Sequence, residues 1–324
     1  MLSRALIAKS ALFLVAAALP QTATAQTAYP SRPVRIIVPF PPGSGADITT
    51  RLVAPKLGEV LGQQFIVDNR AGAAGNIGAE VAARSPADGY TLLTAPASTA
   101  ISQTLYKKLS YDLVKDFEPV ALMAGVPFML VVHPSLPAKN VKDLVALARA
   151  KPGQLTYGST GNGSSPHLTT EMLKLQTGID IVHVPYKGTP PAVTDLLSGN
   201  ITFMFANSLS VLPHVQTHRL RALAVTSVKR SPGTPNLPTV AESYPGFESG
   251  TWFSLLAPAG TPRDVITRLN GAVAKVVQMP DVREKIVAQG GEPMSGTPQQ
   301  VAAYIRAEVA KWGKVVHASG AKVE

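Results

Sequence analysis

The segment VRIIVPFPPGSGAD, residues 34–47, decides the fold of this chain because it joins a strand, a loop and the approach to a helix. The β-branched run at residues 34–38 predicts a buried strand, and the Pro/Gly/Ser loop ends it. A helical pattern follows at residues 48–61, so the backbone N–H groups of the loop lie at the positive end of a helix dipole. This arrangement favours binding of a carboxylate or a phosphate.

The same arrangement recurs near the middle of the chain. Residues 155–157 predict a strand, the loop GSTGNGSSPH covers residues 158–167, and another helical pattern follows. The two loops are far apart in sequence, so we expect each to lie in its own lobe. Together they predict two lobes that close on one acidic small molecule.

Strands and helices alternate along the chain, which predicts an α/β protein with mainly parallel sheets. The predicted strands cover residues 34–38, 65–67, 90–94, 155–157, 179–184, 201–205, 220–226 and 252–257. The predicted helices cover residues 48–61, 76–84, 141–150, 262–277, 280–288 and 298–319. Pro55 is expected to kink or divide the first helix, because proline has no N–H to donate.

Residues 120–132, VALMAGVPFMLVV, form an apolar run that is too long for an ordinary strand. Gly125 and Pro127 interrupt its middle, so we interpret it as a strand that leaves one lobe, bends and enters the other. The predicted first lobe therefore comprises residues 26–125 and 228–324, and the second comprises residues 126–227.

The first 25 residues have the pattern of a secretory signal peptide. Arg4 and Lys9 charge its start, residues 11–19 are apolar, and Ala-Thr-Ala at residues 23–25 supplies a cleavage pattern. The apolar run is shorter than the roughly 20 residues that span a bilayer. We therefore expect a mature chain that begins near Gln26 and works in the periplasm. The chain has no cysteine, which excludes disulfides, thiolate metal sites and cysteine nucleophiles.

The formal net charge is +10, which raises nucleic acid as a partner. The basic residues are scattered, and no aromatic residues alternate with them as stacking platforms would. The charge is better explained by attraction of anionic metabolites or by solubility. We therefore predict no nucleic-acid partner.

Enzyme motifs are incomplete. Gly43-Ser44-Gly45 resembles a dinucleotide loop, but Ile48 occupies the place of the third glycine. No GxSxG motif is present, and Ser164, Ser165 and His167 lack a third group to orient the imidazole. No catalytic residue and no cofactor are predicted.

The histidines and acidic residues do not form a recognisable metal site. His214 and His218 have the spacing of one helix face, but they lack a third ligand and fit a solvated face better. His133 and His183 are expected within strands, as core or edge residues. Asp47 has a structural role available, since it can accept N–H bonds in the first turn of its helix.

The evidence for a ligand-binding site comes from the loops where the predicted strands end. Ligands of doubly wound sheets bind beyond the carboxyl ends of parallel strands. These loops consist almost wholly of Gly, Ala, Ser, Thr and Asn, which let backbone amides approach a ligand closely. Their sequences are PFPPGSGAD, AGAAGN, TAPAST, STGNGSS, PYKGT and FANS.

From about residue 29 to the C-terminus, the chain resembles the Bug family, the periplasmic solute-binding receptors associated with tripartite tricarboxylate transporters. The motifs that carry the resemblance are PFPPGSGAD, VDNRAGAAGNIGAE, ADGYTLL, YDLVKDFEPVAL, YGSTGNGSSPHL, VHVPYKG, LRALAVTSVKRSP, LPTVAE and LLAPAGTP. The resemblance implies a type II periplasmic-binding-protein fold, with two α/β lobes joined by two crossings and a ligand cleft between them. It also implies that the loops hold carboxylates through backbone amides, often with ordered water.

Carried over by position, the resemblance implies a set of ligand-binding residues in the strand-end loops. They are Phe40, Gly43, Ser44, Gly45, Ala46, Asp47, Ala73, Ala95, Ser98, Thr99, Ser159, Thr160, Gly161, Asn162, Gly163, Ser164, His167, Tyr186, Lys187, Phe205, Ala206 and Asn207. Ser44 stands where the family often has glycine, and Ala206 stands where many members have aspartate. Because that aspartate could pair with a ligand ammonium, its absence favours a dicarboxylate, hydroxy acid or aromatic acid over an amino acid.

The resulting prediction is a monomeric, non-catalytic receptor for a small organic anion. Its partner would be the membrane permease of a tripartite tricarboxylate-type transporter, or a sensor kinase to which it presents the ligand. An exported enzyme that acts on an anion is the alternative from a different class.

Overall fold

The opening strand and helix form as the sequence predicts. Val34–Val38 is a strand in which every residue except Arg35 is buried. The helix begins earlier than predicted, at Gly45, because the Ser44 hydroxyl caps it by accepting a hydrogen bond from the Asp47 N–H at 3.3 Å. It runs to Leu61 and is not divided at Pro55.

The computed structural model describes residues 29–231, 233–288 and 290–322. The predicted signal segment, residues 1–25, lies outside the described residues. Within the described ranges, no helix combines the length and the apolar character needed to cross a bilayer.

The chain forms two α/β lobes, each built on one sheet. The strands are β1 (Val34–Val38), β2 (Phe65–Asn69), β3 (Thr91–Pro96), β4 (Phe117–Val126), β5 (Phe128–Val132), β6 (Thr156–Ser159), β7 (Val182–Pro185), β8 (Phe203–Asn207), β9 (Arg221–Val225), β10 (Thr251–Pro258) and β11 (Glu292–Pro293). The helices are α1 (Gly45–Leu61), α2 (Asn76–Ala83), α3 (Ala97–Leu105), α4 (Val141–Ala150), α5 (Ser165–Thr177), α6 (Thr189–Leu197), α7 (Ser208–Gln216), α8 (Arg263–Val276), α9 (Pro280–Ala288) and α10 (Pro298–Ser319).

The sheets are mixed rather than mainly parallel. The first has the strand order β11-β4-β10-β3-β1-β2, and the second has the order β7-β6-β8-β5-β9. Strands joined through helices are parallel, as predicted: β1 pairs with β2 and β3, and β6 pairs with β7 and β8. The antiparallel pairs involve the strands that lead from one lobe to the other. Strand β4 runs towards the second lobe, and β10 runs back beside it. For the same reason β5 and β9 are antiparallel.

Residues 120–132 cross between the lobes as the sequence predicts. Strand β4 ends at Val126 in the first sheet, and β5 begins at Phe128 in the second. The proline between them, Pro127, cannot donate to a ladder. Thr226, just past β9, joins the two crossings: its hydroxyl accepts from the Phe128 N–H at 2.8 Å and donates to the Ser249 carbonyl at 2.6 Å.

The packing of residues 237–247 indicates where the second lobe ends. Val240 and Phe247 are fully buried in the cluster that contains Phe205 of the second sheet. The segment from residue 237 to 247 thus packs with the second lobe, whereas the predicted boundary lies at residues 227 and 228. We propose that this lobe extends to about residue 249.

Candidate functional site

Five helices begin at the cleft between the lobes. Helices α1 and α3 belong to the first lobe, and α5, α6 and α7 belong to the second. Each contributes a residue from its N-terminal end to one cavity of about 410 Å³, which is partly open to solvent. These residues are Gly45, Ser98, Ser165, Thr189 and Asn207. We call this space the inner cavity.

The inner cavity favours negative charge because helix N-termini surround it, although no charged side chain lines it. Its lining residues are Phe40, Ser44, Gly45, Ala46, Pro96, Ser98, Phe128, Thr160, Ser165, Pro166, Thr189, Asn207, Thr251 and Phe253. The free N–H groups at a helix start carry about half a positive charge per helix. Ser98 adds a buried hydroxyl that has no hydrogen-bond partner among the described residues. The arrangement suits an anion that needs hydrogen bonds from several directions.

The first glycine-rich loop is held in shape by Asp47. Its buried carboxylate accepts hydrogen bonds from the Gly43 N–H, Arg51 Nε and Asn69 Nδ2, each at 2.9 Å. Burial tends to raise the pKa of Asp47, but these hydrogen bonds and the Arg51 charge outweigh it and lower that pKa. The carboxylate is therefore ionised and is occupied by donors from the loop, from α1 and from β2.

Two stacked histidines hold the second glycine-rich loop. The rings of His167 and His183 are parallel, with centroids 4.1 Å apart. His167 Nδ1 accepts from the Gly163 N–H at 3.0 Å, and His183 Nε2 lies 2.6 Å from Ser159 Oγ. That hydroxyl in turn accepts from the Gly161 N–H at 3.2 Å. Both bends of the loop are thus tied to the histidine pair.

The histidine pair is neutral in the folded protein. Burial is the largest cause that lowers the pKa of His167, and burial together with the neighbouring His167 and Lys174 lowers the pKa of His183 to about 3. A neutral His167 is required by the geometry, because Nδ1 can accept from Gly163 only while it carries no proton.

Acid should therefore destabilise the protein through His183. Its pKa is 6.5 unperturbed and about 3 when folded, so its contribution is fully present above pH 6.5 and is lost as the pH falls towards 3. Allowing for its partial exposure, we expect a loss of about 1–2 kcal/mol by about pH 4.5. His183→Gln keeps a hydrogen-bonding side chain and should flatten this dependence in urea unfolding measured across pH.

His133 provides the control for this prediction. It lies past the end of β5, not within a strand as expected, and among the described residues its imidazole bonds only to Ser135, in an exposed turn. His133→Gln should retain the acid dependence of the parent protein. If His183→Gln retained it equally, the neutral pair would not be its source.

A second, outer cavity opens next to the inner one. Phe40 and Thr160 line both, and the outer space measures about 920 Å³, part of it open solvent. Its remaining lining residues are Pro41, Ala71, Gly72, Ala73, Ala74, Gly75, Tyr106, Gly161, Asn162, Pro185, Tyr186 and Lys187.

The lobes touch each other at the cleft. Ser210 of the second lobe donates to the Gly43 carbonyl at 3.3 Å. Gly45 leaves room for the Asn207 side chain, since a Cβ on Gly45 would lie 2.6 Å from Asn207 Cγ. Gly188 leaves similar room for Pro41, whose Cδ would be 2.8 Å away. These contacts describe a closed arrangement.

Comparison with known protein families identifies a receptor family, which agrees with a ligand cleft between two lobes. The family model described as tripartite tricarboxylate transporter family receptor (TctC) matches residues 49–321. The chain belongs to this family. The resemblance to Bug receptors is confirmed by BugT of Bordetella pertussis, which is 40% identical over 322 residues, 98% of each chain.

Two solved structures of similar proteins contain organic acids. R. palustris Rpa4515, solved with adipate, is 40% identical, has a TM-score of 0.89 and covers 91% of this chain and 100% of its own. MatC (Rpa3494) from Rhodopseudomonas palustris, with bound malate, is 29% identical, has a TM-score of 0.84 and covers 89% of this chain and 100% of its own.

Twelve of the predicted site residues of this TctC-family chain line at least one of the two cavities, including Lys187 and Asn207 at the ends of second-lobe strands. The others line neither cavity: Gly43, Asp47, Ala95, Thr99, Ser159, Gly163, Ser164, His167, Phe205 and Ala206. Asp47 and His167 hold loops instead. The side chains of Phe205 and Ala206 pack into the two cores on opposite faces of the second sheet.

Several lining residues were not predicted. Thr251 and Phe253 reach the inner cavity because β10 lies beside β3, and no local motif in the sequence indicates that pairing. Thr189 lies in the strand-end motif PYKGT, so the pattern that singled out these loops contained a signal for it.

His214 and His218 do not share a helix face. Helix α7 ends at Gln216, and His218 has a left-handed φ of 56° beyond it. The described ranges contain no cluster of three or more histidine or acidic side chains that could hold a metal ion.

Proposed function

We propose that this TctC-family receptor captures a small organic carboxylate in the inner cavity by closure of its two lobes. The observation that carries the proposal is the convergence of five helix N-termini from both lobes on that cavity. An anion between them gains hydrogen bonds from each lobe only in the closed state, so binding shifts the population towards closure. The adipate and malate seen in similar proteins agree with this ligand class.

The lining favours a ligand without a positive group. Neither cavity is lined by Asp or Glu, so an ammonium group would find no carboxylate partner there. The absence of Asp and Glu from the lining is now the reason to expect no ammonium group on the ligand. The alanine at position 206 no longer supports that expectation, because its side chain lies in the core and not in a cavity. The proposed ligand is a dicarboxylate, a hydroxy acid or an aromatic acid.

The proposed role is non-catalytic delivery in the periplasm to the permease of a tripartite tricarboxylate-type transporter. Family membership supports the transport role over a sensor kinase partner. The serines near the second loop also favour binding over catalysis: the His167 nitrogen that could act as a base already accepts from Gly163. An exported enzyme remains the rival, and turnover of a bound acid would favour it.

A thermal-shift series tests the proposal. Adipate, malate and benzoate are compared with glutamate and with sodium chloride at equal ionic strength. A ligand at 100 times its dissociation constant stabilises by roughly 2.7 kcal/mol, which corresponds to about 4–5 °C for a chain of this length. We expect at least one acid without an ammonium group to give such a shift and to be recovered unchanged. A shift with glutamate alone, or with none of the acids, would contradict the proposal.

A further inference from the structure

The outer cavity contains a feature that the inner cavity lacks, which is a charged side chain. Lys187 is the one charged residue among those lining either cavity. It is exposed, and none of the ion pairs among the described residues includes it. Its ammonium group is therefore available to a ligand.

The backbone at Lys187 is positioned by its neighbour Tyr186. The Tyr186 hydroxyl donates to Asp195 Oδ2 at 2.7 Å, and Asn200 donates to the other oxygen of that carboxylate at 3.2 Å. Lys187 follows this fixed ring and precedes Gly188, which packs against Pro41 of the first lobe. Closure of the lobes thus determines where the backbone of Lys187 lies relative to the cleft.

The opposite wall of the outer cavity has an unusual backbone. Four consecutive residues, from Gly72 to Gly75, have φ values of 137°, 47°, 55° and 100°. Two of them, Ala73 and Ala74, are alanines in the left-handed region, which alanine rarely adopts. Strain of this kind concentrates where a wall must keep a particular shape for a ligand.

The two cavities are neighbours that share part of their walls. Phe40 supplies an apolar ring to both, and Thr160 belongs to both from the second lobe. An aliphatic chain that leaves the helix N-termini of the inner cavity towards the outer one would run along these two shared residues. Its far end would then lie in the space that Lys187 lines.

We propose that the outer cavity is a second anion subsite in which Lys187 binds the distal carboxylate of the same ligand. The preferred ligand is then a linear α,ω-dicarboxylate, with one carboxylate held by uncharged donors and the other by a lysine. This inference rests on the proposed function, because it takes the first carboxylate to be in the inner cavity. Because the lysine is exposed, the pair is screened by salt, and the gain over a monocarboxylate is about fivefold.

Adipate and hexanoate test the inference, because they share six carbons and differ in the second carboxylate. Their dissociation constants are measured by calorimetry at low and high salt. The parent protein should prefer adipate about fivefold at low salt and less at high salt. Lys187→Met should bring the adipate-to-hexanoate ratio close to one. Lys142→Met, on the exposed side of α4 and outside both cavities, should keep the parent ratio.

A charge reversal gives a second, independent readout. Lys187→Glu should lower affinity for adipate and raise affinity for 6-aminohexanoate, which carries an ammonium group at the distal end. Thermal melts establish that each variant is folded. Reversal of the preference would support the subsite even if the methionine variant were unstable.

The outcomes separate the inference from the proposed function. Equal binding of adipate and hexanoate by the parent protein would overturn the subsite and leave carboxylate capture intact. A preference for adipate that survives Lys187→Met and Lys187→Glu would overturn the role of this lysine. Absence of binding for both acids, together with no shift in the thermal series, would remove the proposed function and the inference with it.

Discussion

Gly45→Ala is expected to weaken ligand binding by about 30- to 100-fold while both lobes remain folded. A Cβ at this position would lie 2.6 Å from Asn207 Cγ across the cleft. Asn207 cannot move aside freely, because its side chain is buried and caps α7 by accepting from the Leu209 N–H at 3.0 Å. Overpacking of this kind costs about 2–3 kcal/mol, and it penalises only the closed state that binds the ligand.

The lobes themselves should tolerate the change. Gly45 opens α1 without a left-handed φ, so alanine fits the backbone there. Gly271→Ala is the matched control, since a Cβ on Gly271 in α8 has no heavy atom within 4 Å. Calorimetry with adipate and small-angle scattering with and without the acid compare the two variants. Parent-like affinity in Gly45→Ala would show that closure at this contact is not needed for binding.

Asp47→Ala should destabilise the protein by about 3 kcal/mol, which is the typical cost of breaking a buried charged network. The carboxylate accepts from the Gly43 N–H, from Arg51 and from Asn69, and its side chain is 4% exposed. Removing it leaves these donors without their partner and releases the loop that opens α1. We expect a clear fall in unfolding free energy by urea titration, and weaker binding of the acid.

Asp143→Ala offers a closely matched comparison. Asp143 has the same position in α4 that Asp47 has in α1, and it likewise accepts from the N–H four residues earlier, that of Lys139 at 2.8 Å. It lies at an exposed helix start, and none of the ion pairs among the described residues includes it. We expect a loss near 1 kcal/mol and unchanged binding. Equal losses for the two substitutions would mean that Asp47 acts only as an ordinary helix cap.

The sequence allowed prediction of much of the fold because local patterns specified it. The strand at residues 34–38 and the helices at 141–150, 280–288 and 298–319 form with the predicted bounds. Helix α3 was not predicted, because its first three residues belong to the loop-like sequence TAPAST, whose small side chains give no apolar periodicity. The antiparallel pairing of the predicted strands was missed, because local periodicity does not reveal which strands lie side by side.

Residues of the candidate site could be predicted where a loop directly follows a strand in the sequence. They could not be predicted where segments far apart in the sequence come into contact. The histidine pair illustrates the difference. His167 lies at the start of α5 and His183 lies in β7, and they stack because β7 pairs with β6. Ala206 shows a different limit: the strand was predicted to end at residue 205, so residue 206 was expected in the loop, whereas it lies in β8 and faces the core.

The most direct test of the account is a crystal structure of the protein with adipate. We predict that one carboxylate lies in the inner cavity, within about 3 Å of hydrogen-bond donors at the N-terminal ends of helices from both lobes. Adipate bound to one lobe alone, or outside the space shared by Gly45 and Thr189, would contradict the claim that the two lobes hold the anion between them.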